Sequence, residues 1–241
     1  MRMAAKSTCF GKRVLNYLKK VRRSYEGYTG KLGAVPVFRG RKHCVSGAVE
    51  DFFAEMLAKM LAEAGVQDIC IFVDMPMGKG GKKRDGDAKN IFYPDIAVCK
   101  VKGANYTVLH MFDLKVDLGW KRGEKDILGN LHADLKAMRA FKSLSGKDGA
   151  DGALVSFKFL KRTGYDMVVC SSKNGGRKII EQYQKNHGAD ETSQLFVLTD
   201  DELNTQYLPD GDLAIHLRAD DVEALAKRLC GQLPLPQKLV C

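Results

Sequence analysis

Apolar residues along this chain repeat with two rhythms, and the change from one to the other outlines the fold. Over residues 11–25 they recur at helical spacing. Val14, Leu15, Leu18 and Val21 share one side, and Lys19, Lys20, Arg22 and Arg23 surround it, which predicts a basic amphipathic helix. Residues 26–45 are Gly-rich and lack a period, with Arg39, Arg41, Lys42 and His43 clustered in them. Ser46 is placed to cap a second helix that buries Val49, Phe53, Met56 and Met60, runs to about Ala64 and ends at Gly65.

The rhythm then shortens to two. A strand is expected over Asp68–Asp74, followed by a charged loop, Gly78 to Arg84. Residues 92–101 and 105–116 are β-rich and joined by Lys102-Gly103-Ala104-Asn105, a hairpin signature. A loop through Gly119, Trp120, Lys121, Arg122 and Gly123 leads to a helix expected over Asp126–Leu144. A polar, Gly-containing stretch precedes a strand at Tyr165–Ser171. After it come a helix (about 176–187), two strands (195–199 and 213–217), a helix (220–230) and a Pro-interrupted tail. This order predicts a mixed sheet flanked by helices, in the α/β or α+β class.

Composition narrows the picture. The chain has 241 residues, 45% of them hydrophobic, enough for a substantial core. Without a repeat, low-complexity tract or clear linker, one domain is expected over 1–241. Its core lies at about 46–171, with a basic N-terminal extension (1–45) and a C-terminal α/β addition (172–241). No apolar run approaches the roughly 20 residues of a membrane span. Basic residues in Met1 to Lys12 are followed by no apolar segment, so no signal peptide is expected. Seven cysteines are scattered without a Cys-x-x-Cys pair. That disfavours a zinc ribbon and suggests reduced, buried thiols at Cys70, Cys99 and Cys170, in a cytoplasmic protein. Lys plus Arg number 39 against 29 acidic residues, a net charge of +10 that favours polyanionic partners.

Candidate chemistry gathers in the hairpin. Asp113 and Lys115 are two apart, so on a strand they share a face while Leu114 points into apolar packing. Two other Asp-x-Lys triplets, at Asp87 and Asp134, fall in a loop and a helix, where this spacing does not align the charges. Asp95 follows Pro94 near the open end of the first strand, across the hairpin from Asp113. Glu50 borders the apolar face of its helix, in line with Leu57 and Leu61. An exposed Asp–Lys pair of this kind can also be a solvated surface feature worth at most about 1 kcal/mol.

Two carboxylates about 4 Å apart repel by roughly 4 kcal/mol at an effective dielectric near 20. Asp95 and Asp113 therefore call for a cation or a raised pKa. Mg²⁺ is the expected cation, with Mn²⁺ substituting, held by Asp95, Asp113, the backbone carbonyl of Leu114 and Glu50. Metal-bound water would attack a phosphodiester. Lys115 would stabilise the developing charge or help position and deprotonate the water.

These residues resemble the PD-(D/E)xK nuclease superfamily, with Pro94-Asp95 as the Pro-Asp element, Asp113-Leu114-Lys115 as the acidic-x-Lys element and Glu50 as the helical acid. The resemblance covers roughly residues 46–171 and implies a restriction-endonuclease-like α-β-β-β-α-β core. It also implies Mg²⁺-dependent hydrolysis of phosphodiester bonds, usually in DNA. Catalysis is thus expected from Glu50, Asp95, Asp113 and Lys115. Lys82, Lys83, Arg84, Lys121 and Arg122 are expected to touch phosphate. Double-stranded DNA is the expected partner, and a homodimer would suit cutting at a symmetric site. Two alternatives stay open: a nuclease-like module that binds nucleic acid without cutting it, and a nuclease acting on RNA or on branched or single-stranded DNA.

Overall fold

The structure is a computed structural model that describes residues 9–28, 30–32, 35–37, 44–78, 91–117, 127–141, 143–147, 154–173, 192–204 and 214–237. The helices are α1 (Cys9–Tyr28), α2 (Cys44–Glu63), α3 (Ile127–Ala140) and α4 (Ala219–Gln232). A two-stranded sheet pairs β1 (Gly30–Leu32) with β2 (Val35–Val37). Among the described residues the main sheet has eight strands: β3 (Ile69–Val73), β4 (Met77–Gly78), β5 (Ile91–Phe92), β6 (Ile96–Lys102), β7 (Asn105–Lys115), β8 (Leu144–Lys147), β9 (Leu154–Ser171) and β10 (Leu195–Thr199). It is a mixed α+β arrangement, a central mixed sheet between helices.

The strand order is β3-β6-β7-β9-β8-β4-β5, with β10 also pairing β9. β3, β6 and β7 form an antiparallel meander. β9 then lies parallel to β7, which requires a crossover connection, and α3 falls within it. Two apolar layers cover the sheet because its strands alternate faces. On one face Ile96, Val98, Phe112 and Leu114 meet α1, α2 and α4. On the other, Ala97, Cys99, Met111 and Met167 meet Leu131, Leu135 and Met138 of α3. Phe53 of α2 links the first layer through edge-on rings, 5.5 Å from Tyr17 of α1 and 5.2 Å from Phe112 of β7.

Several sequence expectations change. The helix expected over Asp126–Leu144 stops at Ala140, and Leu144 opens strand β8. The polar stretch before Tyr165 is the first half of an 18-residue strand, β9. Its Lys158, Lys161, Arg162 and Gly164 conceal an alternation of buried Val155 and Phe157 with less buried neighbours. At Gly164 an added Cβ would run into the His110 ring. Part of the stretch expected to be irregular forms the β1–β2 hairpin. Residues 214–217 contribute only an isolated bridge, Leu217 to Thr199, rather than a strand. The helix expected at 176–187 lies outside the described residues.

Candidate active site

A single irregularity in the hairpin sets the site. From the turn, Lys102 pairs with Asn105 and Cys99 with Val108, but Val98 pairs with His110. Leu109 is the extra residue, a β-bulge. Without it, continuing the turn register would place Asp95 opposite Phe112. With it, Ile96 opposes Phe112, so the next residues outward, Asp95 and Asp113, face each other. Because side chains alternate, a slip of one residue would put the two carboxylates on opposite faces.

Asp95 stands just before β6, after buried Pro94. Its Oδ2 accepts the Leu114 N–H at 2.6 Å, which ties the start of β6 to the end of β7. Lys115 reaches back over the same strand end. Its Nζ donates to Asp113 Oδ1, to Asp95 Oδ2 at 3.3 Å and to the Leu114 carbonyl at 3.1 Å. The cluster is largely shielded, with side-chain exposures of 18% for Asp95, 13% for Asp113 and 23% for Lys115. These values exclude a fully solvated surface pair.

Burial, then the charge of Asp113, pushes the Asp95 carboxyl from its ordinary 3.8 up to about 7, against the pull of Lys115 and the Leu114 N–H. Burial opposes the charge on Lys115, but Asp113 and Asp95 outweigh it and raise its pKa, so the group is an ammonium. Glu50 of α2 is half-buried. Burial, and next the charge of Asp74, raise its carboxyl above the ordinary range, while Lys115 opposes the rise. Glu50 therefore lies in the field of the cluster, although it is not among the oxygens that Lys115 touches.

Two further residues belong to this neighbourhood and were not singled out in the sequence. Asp74 follows β3 with a left-handed backbone (φ 48°), a conformation that Asp tolerates better than most residues. Its N–H donates to the Asp95 carbonyl at 2.9 Å. Tyr165 of β9 is buried on the same face as Met111, its partner in register, two residues along from Asp113. Burial, followed by the charges of Asp113 and Asp95, drives its phenol well above the ordinary range. An Asp closing a strand, and a Tyr inside an apolar run beside the catalytic candidates, were the available signals.

Among the described residues, no group of three or more His, Cys, Asp or Glu side chains is arranged to hold a metal ion. Glu50 thus does not join Asp95 and Asp113 in an acidic cage. Three oxygens do converge: one each from Asp95, Asp113 and the Leu114 carbonyl, all on the Lys115 ammonium. All three are hard oxygen donors of the kind that also suit a divalent cation. Lys82, Lys83, Arg84, Lys121 and Arg122, the expected phosphate contacts, lie outside the described residues. No helix among the described residues is long and apolar enough to cross a membrane. No family model, curated protein or solved structure matches the chain.

Proposed function

We propose that the chain is a metal-dependent phosphodiesterase. More particularly, we read it as a Mg²⁺-dependent DNA endonuclease, with a restriction-endonuclease-like core made of α2, β3, β6, β7, α3 and β9. One observation carries the reading: two shielded carboxylates and a backbone carbonyl converge on one cation at the end of neighbouring strands. The succession of those six elements supports the fold assignment, and a net charge of +10 suits a polyanionic substrate.

Asp95 and Asp113 would hold the metal ion, and the Leu114 carbonyl would add a neutral oxygen ligand. A bound Mg²⁺ supplies Lewis-acid polarisation of the phosphate and a more acidic water. Lys115 is held as an ammonium, so its role is electrostatic: it turns from the carboxylates toward the phosphate and stabilises the negative charge that develops there. Glu50, with its raised carboxyl, orients water at the edge of the site. Asp95 also fixes the Leu114 backbone, so it sets the position of one ligand while serving as another.

The test is incubation of the purified protein with plasmid DNA and Mg²⁺. Wild type is expected to nick or linearise the plasmid. Asp113→Ala and Lys115→Ala are each expected to remove cleavage while circular dichroism and urea unfolding show a retained fold. Cleavage that survives both substitutions would falsify the assignment. The saturation of all three oxygens by Lys115 favours a second reading, a module that binds nucleic acid without cutting it. DNA retention with no Mg²⁺-dependent product would select that reading.

A further inference from the structure

Cys70 of β3 and Cys99 of β6 are direct partners in an antiparallel register. Such partners have Cα atoms about 4.5–5.5 Å apart, within the roughly 4.4–6.8 Å that a disulfide spans. Their side chains share a face: Cys99 is buried in the apolar layer under α3, and Cys70 packs against that layer from the edge strand. Both are free thiols, joined by a hydrogen bond, and Cys70 keeps partial exposure. The other buried thiol of the sheet, Cys170, faces the opposite apolar layer and bonds the Tyr17 hydroxyl at 3.2 Å.

We propose that Cys70 and Cys99 form a reversible oxidative modification site, closed to a cross-strand disulfide by a hydroperoxide. Cys70 is the more accessible thiol and lies beside the bulk solvent edge of β3, so it reacts first. Its thiolate attacks the terminal peroxide oxygen. The O–O bond breaks, an alcohol or water leaves with a proton, and Cys70 becomes a sulfenic acid. The Cys99 sulfur then attacks the Cys70 sulfur, the S–O bond breaks, and water leaves with the Cys99 proton. Two electrons pass from the thiol pair to the peroxide. Accessibility sets this order, because Cys99 is buried and Cys70 is only partly covered. Dithiols reverse the bond by exchange.

The bridge would fasten β3 to β6 near the strand ends that carry Asp74 and Asp95, since Val73 pairs with Ile96 in the same ladder. The inference does not depend on nuclease activity.

The test treats the folded full chain with a small excess of hydrogen peroxide, blocks remaining thiols with N-ethylmaleimide under denaturing conditions, and digests it without reductant. Mass spectrometry is expected to find the Cys70 peptide linked to the Cys99 peptide, with the link lost on adding dithiothreitol. Cys99→Ala is expected to leave Cys70 as a sulfenic acid captured by dimedone, and Cys70→Ala is expected to leave Cys99 unmodified. The wild-type measurement requires no variant to fold. Maleimide on both Cys70 and Cys99 after peroxide treatment overturns the proposal. So does a Cys70 link to any other cysteine, or irreversible over-oxidation of Cys70 in the wild type.

Discussion

Replacing Asp95 by Asn removes one charge from the cluster while keeping its shape and an acceptor for the Leu114 N–H. In the wild type, burial and Asp113 raise the Asp95 carboxyl from 3.8 to about 7 in the folded protein. In the unfolded chain it titrates near its ordinary value of about 3.9. Between those values the folded state holds a proton that the unfolded state has released. Stability from this group is therefore complete below about pH 4 and falls as the pH rises toward about 7. At 1.36 kcal/mol per tenfold change, the loss is on the order of 4 kcal/mol. The side chain is 18% exposed, and solvent screening brings the working figure to about 2–4 kcal/mol. Asn cannot titrate. Urea unfolding with EDTA at several pH values from 4 to 8 should show Asp95→Asn gaining on wild type as the pH rises and exceeding it by about 2 kcal/mol or more at the top. Parallel curves, or a variant less stable than wild type at high pH, would refute the account of the cluster. Repeating the series with Mg²⁺ separates charge repulsion from metal binding. An ion at 100 times its dissociation constant adds about 2.7 kcal/mol to wild type, and the variant should lose most of that increment.

The buried partnership behind the sheet gives further outcomes. Asp166 of β9 accepts from His110 Nε2 at 2.8 Å, from Arg228 Nε of α4 at 2.8 Å and from the Gln194 N–H at 2.9 Å. Burial pushes its carboxyl up, but His110 and Arg228 outweigh that and hold it below the ordinary range. Asp166→Ala strands both partners and should cost about 3–5 kcal/mol by urea unfolding; a loss within 1 kcal/mol or so would refute the partnership. In Gly164→Ala the new methyl would meet His110 Cε1 at 2.4 Å and Arg228 Nη2 at 2.8 Å. Overpacking of that kind should cost about 1–3 kcal/mol, and a neutral result would mean that the backbone yields there.

Much of the framework was legible because local rules fix it. The apolar stripes of α1, α2 and α4, and the β-rich runs of β3, β6 and β7, have periods that only one kind of element satisfies. β9 was read only in its second half. Its first half carries two lysines and an arginine on exposed positions, and near its centre is a glycine whose added Cβ would run into His110. β8 was absorbed into the preceding helix because a four-residue strand is too short to show a period. The site shows the same division. Asp113, Lys115 and the inward Leu114 follow from alternation along a single strand. Asp74 and Tyr165 join them only because β3 and β9 flank the hairpin on either side.

By itself the sequence marked Asp95, Asp113 and Lys115 as candidates, since side-chain type and strand period are local properties. Whether two acids in separate strands share a face is a question of register, and register is set where strands pack. The extra residue at Leu109 is accommodated because both of its neighbouring strands depart from regular pairing beside it. That displacement, invisible in either strand alone, is what turns Asp95 toward Asp113.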